Sequence, residues 1–401
     1  MIGKESINYS LRNLRNRKFR SFLTIFSIFA GIVTIFIFIS FGAGLYKYVG
    51  DLSSSSSADK IMITSKGGFS GLDTTFALTD NDLNEVKGTA GIYEATGVYF
   101  KSAEIEFNNE RIYTLLSAYD PKKPIIMEVF NIGISNGRTL RDGDSKDILL
   151  GYNYQIQDKI FSKPVKLNDK IKINNIDFKV IGFLEEIGSP QDDSQVYITD
   201  HYIKELYSND NLPYNWILAK VDVNSIDQIV DRVEKNLRKS RNLEEGKEDF
   251  FVQSFDDLME GYATALDVIV AFIILIALIS ILVSSINTAN TMITSVLERR
   301  KEIGIIKSIG GRNSEIFKIF IFESSFLGFI AGVLGAFIGW GVSYLGGVIL
   351  AQLGYGFLSP YFPIELFVGC ILFATLTGAI SGFIPARNAA KVNPVETLRY
   401  E

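Results

Sequence analysis

A helical membrane protein, with four transmembrane helices and a large extracytoplasmic α/β (α+β) domain, is the architecture this sequence predicts. Three observations predict it. Charge is absent from four long apolar stretches: 26 residues between Arg20 and Lys47, 30 between Asp267 and Glu298, 41 between Glu323 and Glu365, and 21 between Glu365 and Arg387. About 20 apolar residues cross the hydrocarbon core as a helix, and a span must be helical because lipid cannot satisfy an open backbone. Basic residues are segregated: Lys4, Arg12, Arg15, Arg17, Lys18 and Arg20 precede the first stretch, and Arg299, Arg300, Lys301, Lys307, Arg312 and Lys318 lie between the second and third. With Arg387, Lys391 and Arg399 in the tail, the excess of Lys and Arg places both termini and the 294–317 loop in the cytoplasm. The long segment 47–263 is then outside, and its 25 basic and 36 acidic residues give it −11, against −5 for the whole chain.

In chain order, residues 1–20 read as a cytoplasmic amphipathic helix at the membrane interface, with Ile7, Leu11 and Leu14 on one face and Arg12, Arg15 and Arg17 elsewhere. A disordered basic arm is the other reading. Span one covers 21–46; it is long for a signal-peptide core and lacks a small-residue cleavage site, so it is expected to be permanent. Ser53–Ser57 reads as a flexible connection.

In the outer domain, Lys60–Thr64, Ile92–Tyr99, Ala103–Phe107 and Arg111–Ala118 read as strands, the last two joined at Asn108-Asn109. Lys170–Ile173 and Asp177–Phe183 form a second hairpin turning at Asn174-Asn175. Thr79-Asp80-Asn81-Asp82 opens a short helix to Lys87; Trp216–Val221 is a strand and Ser225–Leu237 a helix. An inserted lobe is expected at about 100–165. Ser254-Phe-Asp-Asp257 has capping-box spacing, and its helix is expected to run unbroken into span two, 264–293, with span one extended outward in the same way. Span three is 318–345, a short outer loop covers 346–363, span four is 364–386, and 387–401 is a cytoplasmic tail.

Several chemistries are missing. The Gly-Lys pairs, Gly3-Lys4 and Gly246-Lys247, are each followed by Glu, so the loop that cradles nucleotide phosphates is absent. The chain is expected to be no enzyme and to hold no cofactor of its own. His201 is the one histidine and reads as a surface residue. Gln191–Gln195 reads as a solvated acidic loop, with a calcium site as the weaker alternative. Cys370, the one cysteine, falls in span four, so no disulfide staples the outer domain. Nothing in the chain points to nucleic acid.

Two features leave alternatives open. Gly328 and Gly332, Gly335 and Gly339, and Gly378 and Gly382 are each four apart; small residues at that spacing let helices touch, either within one subunit or along a dimer seam. Glu323 lies near the cytoplasmic interface. It is either a gating charge for helix movement or a side chain that reaches water or pairs with a nearby base.

The run Glu298-Arg-Arg-Lys-Glu-Ile-Gly-Ile-Ile-Lys-Ser-Ile-Gly-Gly311, followed by Glu315-Ile-Phe-Lys-Ile-Phe-Ile-Phe-Glu323, resembles the loop between spans two and three of MacB/FtsX-type ABC permeases. The tail from Pro385 to Glu401 resembles the closing motif of that family. Gly137-Arg138-Thr-Leu, Ile148-Leu-Leu-Gly151 and Phe178-Lys-Val-Ile-Gly-Phe183 follow the order of the MacB periplasmic core domain. One departure is Leu167-Asn168-Asp169, where the family often has Gly before a polar turn; Asn tolerates the positive φ.

The resemblance implies a permease without its own ATPase, working with a separate ABC-type ATPase subunit that binds ATP and Mg. It implies a homodimer, or a heterodimer with a paralogous permease, and allows for an extracytoplasmic adaptor. It implies that Glu298, Arg299, Arg300, Lys301, Glu302, Ile303, Gly304, Ile305, Lys307, Gly310 and Gly311 form the element that couples to the ATPase. ATP-driven motion would then be transmitted to the outer domain, for export or extraction of a peptide, lipoprotein, lipid or drug. The alternative is an FtsX-like regulator of an extracellular enzyme.

Overall fold

The computed structural model describes residues 18–54, 58–66 and 77–393. The expected interfacial helix at 1–20 therefore lies outside the described residues, except that Lys18–Arg20 begin α1 (Lys18–Ser54). Of the serine run, Ser53 and Ser54 end that helix and 55–57 lie outside the described residues. The chain divides into two compact units: one contains residues 46–265 and 350–358, the other the apolar helices.

The first unit is built on ten strands in the order β10-β1-β9-β2-β3-β8-β5-β7-β4, with β6 pairing β2 and β7. In chain order they are β1 (Lys60–Ser65), β2 (Ile92–Phe107), β3 (Glu110–Tyr119), β4 (Ile134–Gly137), β5 (Asp147–Leu150), β6 (Lys170–Ile173), β7 (Ile176–Leu184), β8 (Val196–Thr199), β9 (Trp216–Val221) and β10 (Phe250–Ser254). Both sheet faces are buried. On one face Ile61, Ile63, Tyr99, Ile217 and Ala219 pack with α2 (Asp80–Lys87) and α5 (Ile226–Ser240). The neighbours along those strands, Met62, Val98, Phe100 and Leu218, pack on the other face with α3 (Ile125–Val129) and with Phe255 and Met259. The period-two alternation of a strand thus feeds two cores. Helix α5 contributes Ile229, Val233 and Leu237, spaced four apart on one face.

Both asparagine hairpins form. Asn108 and Asn109 have φ of 49° and 65°, and Asn174 and Asn175 have 48° and 67°, positive at both central positions as a type I′ turn requires. Asn168 takes φ 69°, so the Leu167-Asn168-Asp169 turn keeps the backbone that glycine would supply. The two strands expected at 92–107 are one. β2 pairs β9 up to Val98 and β3 from Tyr99 on, so the partner changes between those two residues and the polar Lys101 and Ser102 already pair with β3 within a continuous strand. The lobe expected at 100–165 extends further, because β6 closes on β2 and β8 on β3, carrying the same sheet to Thr199. Helix α4 (Asp200–Leu206) follows β8.

The capping box at Ser254 is real: Ser254 N donates to Asp257 Oδ2 at 3.2 Å and Asp257 N donates to Ser254 Oγ at 3.0 Å. From it α6 runs unbroken over Phe255–Glu298. Ser254→Ala should lower the thermal stability of the outer domain by about 1 kcal/mol, the usual loss for an N-cap, read as a shifted melting transition of the purified chain.

Among the described residues four helices are long and apolar enough to cross a membrane: within α1 (Thr24–Asp51), α6, α8 (Asn313–Gln352) and α9 (Ile364–Ala390). The fourth continues past the expected end at 386, through Pro385, to Ala390. All six paired glycines are used inside the chain. A Cβ on Gly328 would overlap the Ala374 carbonyl oxygen, one on Gly378 the Ser324 carbonyl oxygen, and one on Gly382 the Ser324 hydroxyl. On Gly332 it would lie 2.8 Å from the Ala374 Cβ, on Gly335 2.7 Å from Ile32 Cγ2, and on Gly339 2.8 Å from the Phe36 Cβ. The seam α8–α9 is thus backbone against backbone, and α1 packs on α8 nearly as closely. Ser40 Oγ donates to Ser343 Oγ at 3.0 Å in the buried interior between α1 and α8.

Candidate partner-docking face

Between α6 and α8 the chain forms α7 (Arg300–Ser308), bounded by Arg299 at its start and by Ile309 and Gly310 at its end. The break at Arg299 is local: its φ of −102° and ψ of 13° turn the axis. Gly310 takes φ +101°, and Gly311 N reaches back to Ile306 O at 2.9 Å. This is glycine's use at a helix C-terminus, where a positive φ lets orphan carbonyls be satisfied.

One face of α7 is inward. Ile303 is 4% exposed and joins a cluster of Met292, Val296, Ile316, Phe320, Ala386 and Ala389; Gly304 beside it is also buried. Arg299 is buried too. Its Nη1 donates to Glu323 Oε2 at 3.1 Å and its Nη2 to Glu323 Oε1 at 3.3 Å, with side-chain exposures of 4% and 5%. A forked guanidinium meeting a carboxylate satisfies both charges where water is scarce. The reading of Glu323 as the partner of a nearby base is the one the geometry fits. Lys307 is half-buried, and its Nζ donates to Ala390 O at 2.8 Å and Val392 O at 2.7 Å at the C-terminal end of α9, where carbonyls lack helical partners.

Of the residues assigned above to coupling, then, Arg299, Ile303 and Gly304 face the protein, and Lys307 is tied to α9. Packing, not the pattern of charge, chose their side of the helix. Glu298, Arg300, Lys301, Glu302, Ile305 and Gly310 are exposed, and Gly311 is half-buried. Ile309, absent from that set, is 81% exposed and Ile305 52%. The signal available in the sequence was an isoleucine four residues past another in a run of charges.

The remaining candidates resolve differently. Gln191–Gln195 is not a solvated loop: Asp193 is 1% exposed, accepting from Ile187 N at 2.7 Å and Gly188 N at 2.9 Å. Burial pushes its carboxyl above the usual value, with these two amides opposing. Its lone pairs hold a turn, and no cluster of metal-ligating residues occurs among the described residues. His201 is exposed at the rim of a hollow of about 260 Å³ that Asp142, Asp144, Asp200 and Glu205 also line. Cys370 is buried and free.

Four spans, a large α/β domain between the first and second, and a polar helix between the second and third define a multi-pass membrane protein with a domain outside the bilayer. The family model described as MacB-like periplasmic core domain matches residues 21–236, and the one described as FtsX-like permease C-terminal matches 274–394. A protein of Methanocaldococcus jannaschii described as an uncharacterised ABC transporter permease is 32% identical over 399 residues, 98% of each chain. The macrolide export ATP-binding/permease protein MacB of Marinobacter nauticus is 27% identical over 409 residues; the alignment covers 99% of this chain and 61% of that protein. The crystal structure of the periplasmic region of MacB from Actinobacillus actinomycetemcomitans superposes with a TM-score of 0.42 at 18% identity, covering 52% of this chain and 94% of that one. The chain belongs to the MacB/FtsX-type ABC transporter permeases.

Proposed function

We propose that this permease works with a separate ABC-type ATPase chain, which binds the ATP and Mg, and that the ATPase docks on the exposed face of α7. In this reading both termini and α7 are cytoplasmic, two permease subunits act together, as a homodimer or with a paralogue, and hydrolysis moves the outer domain by mechanotransmission. The work done is export or extraction of a peptide, lipoprotein, lipid or drug, with room for an extracytoplasmic adaptor.

One observation carries the docking assignment. Ile305 and Ile309 stand exposed at 52% and 81% between Arg300, Lys301, Glu302 and Arg312. Lipid covers the apolar spans, but charged neighbours keep this pair out of the hydrocarbon. Apolar side chains rimmed by charge are the usual make-up of a protein contact.

Arg300→Glu with Lys301→Glu, and separately Ile309→Asp, should each reduce ATPase recovered with the tagged permease at least tenfold, with membrane insertion and yield unchanged because these side chains are exposed. Undiminished ATPase in both would refute the docking face. Mass spectrometry of the wild-type pull-down from host membranes identifies the ATPase; finding none would refute the wider reading.

A further inference from the structure

We infer that the buried Arg299–Glu323 pair and the Lys307 tie are the joint through which α7 drives the α8–α9 hairpin, and through it α1, making these three positioning residues of the transport cycle. The inference rests on the docking reading above and assigns the route by which a push on α7 leaves it.

Two routes lead out of α7. The covalent one is α6, whose end next to α7 packs through Met292 and Val296 in the same core as Ile303. It meets α1 less closely than α8 does: Ser27 Oγ donates to Ser284 Oγ at 3.5 Å, and a Cβ added at Gly31 or Gly42 would make ordinary contact with Ser280 Cβ and Val270 Cγ2 at 3.9 and 3.7 Å. The second route is tight at every step. Arg299 at the head of α7 grips Glu323 of α8 through two hydrogen bonds with both side chains about 5% exposed or less. Lys307 at its other end holds two carbonyls at the end of α9. Helices α8 and α9 meet backbone to backbone at Gly328 and Gly378, and α8 meets α1 at Gly335 and Gly339 with no space for a Cβ.

Close-packed elements transmit displacement because they cannot be compressed, whereas loosely packed ones absorb it. The pair also has a particular stiffness. Pulling apart a buried, doubly hydrogen-bonded ion pair is costly, so the joint holds rather than slides. A hydrophobic contact in the same place would bind α7 but let it shift along α8. Helix α7, the ends of α8 and α9 next to it, and the segment of α1 packed on α8 thus form one body, and Met292 and Val296 at the end of α6 pack in the same core.

The test uses the full permease with the ATPase chain that co-purifies with it, and reads two quantities: ATPase recovered per permease, and the permease-dependent part of ATP turnover. Arg299→Ala and Glu323→Ala should keep ATPase recovery within twofold of wild type while permease-dependent turnover falls at least tenfold. Exchange of the two charges, Arg299→Glu with Glu323→Arg, should restore at least half of it. Lys307→Met removes the tie to α9 without stranding a buried charge and should lower turnover several-fold with unchanged recovery. Wild-type turnover in the single variants overturns the inference, and so does an exchange variant no better than they are. If the single alanine variants cannot be recovered from the membrane, Lys307→Met decides: full coupling in it overturns the joint. Loss of ATPase recovery from the charge-exchange and Lys307→Met variants would overturn it too, since the residues would then serve docking itself. Failure of the docking reading shows elsewhere, as undiminished recovery with Arg300→Glu/Lys301→Glu and with Ile309→Asp.

Discussion

Gly378→Leu should eliminate monodisperse protein from detergent extracts, while Gly369→Leu should leave it at wild-type level. The difference is space. A Cβ at Gly378 would overlap the Ser324 carbonyl oxygen and sit 3.3 Å from Gly328 Cα, whereas nothing lies within 4 Å of one at Gly369. Both partners at Gly378 are backbone, so no side chain can rotate away. The adjoining Ser324 is fixed as well, its Oγ bonded to Phe320 O at 3.1 Å and Ile321 O at 3.0 Å. Within lipid, helices gain little from the hydrophobic effect and associate through close contact, so forcing α8 and α9 apart removes most of what holds them. Overpacking alone costs about 1–3 kcal/mol, and here it falls on main chain that cannot yield. Size-exclusion chromatography of the two variants side by side separates this from a general intolerance of leucine in the span. A Gly378→Leu chain that elutes and melts as wild type would show that the seam opens freely.

Arg241→Ala should strongly destabilise the outer domain, by about 3 kcal/mol, the lower end of the range for breaking a buried ion pair, because Asp82 is buried and Arg241 half-buried. Arg241 donates from Nε to Asp82 Oδ1 at 2.8 Å, from Nη2 to Asp82 Oδ2 at 2.7 Å and to Ala77 O at 2.8 Å, and from Nη1 to Asp249 Oδ2 at 2.7 Å. Asp82, with a side chain 4% exposed, also accepts from the Thr79 amide and hydroxyl at 2.7 Å each. One guanidinium therefore binds the start of α2, the segment before it and the entry to β10.

Burial pushes the Asp82 carboxyl up, but the Arg241 and Thr79 hydrogen bonds outweigh it and hold the group below the ordinary carboxylate value. A depressed value means that the contribution is fully present above the unfolded carboxylate range, about 3.9, and is lost as pH falls through the lower folded value. With Arg241 gone, most of that pull is removed while burial still raises the group. The deficit of Arg241→Ala relative to wild type should then be largest near neutral pH and shrink below about pH 4. Urea unfolding followed by the fluorescence of Trp216, in a Trp340→Phe background, reads both parts. A deficit constant from pH 7 to pH 3 would show that the ionised Asp82 carboxylate contributes nothing to it.

Much of the fold was legible because its signals are local. Uncharged runs gave the four spans, and the asparagine pairs at 108–109 and 174–175 gave two hairpins, since a positive φ at both central positions is a property of the residues themselves. Thr79 and Ser254 announced their helices through caps that span three residues. Strands β4, β5, β8 and β10 were not read as strands: β5 and β8 are short and buried on both faces, so Ile148–Leu150 is indistinguishable in sequence from a helix fragment, while β4 is a mostly exposed Ile-Ser-Asn-Gly and β10 only five residues long. The candidate site divides the same way. That the segment from Glu298 to Gly311 is a charged helix between two spans could be read from the chain. That Arg299 turns inward to a glutamate 24 residues away could not.

The sequence by itself determined which parts of this chain lie in lipid, where its helices start, where its hairpins turn and that it carries no phosphate-binding loop of its own, because each depends on a short window of residue chemistry. Only the tertiary structure decided which side of α7 is exposed, that the paired glycines make contacts within the chain, and that Asp193 is a buried tie and Arg241 a half-buried one rather than surface charges. Those outcomes depend on what packs opposite each residue, a partner that lies from a few to hundreds of positions away and that no periodic pattern records.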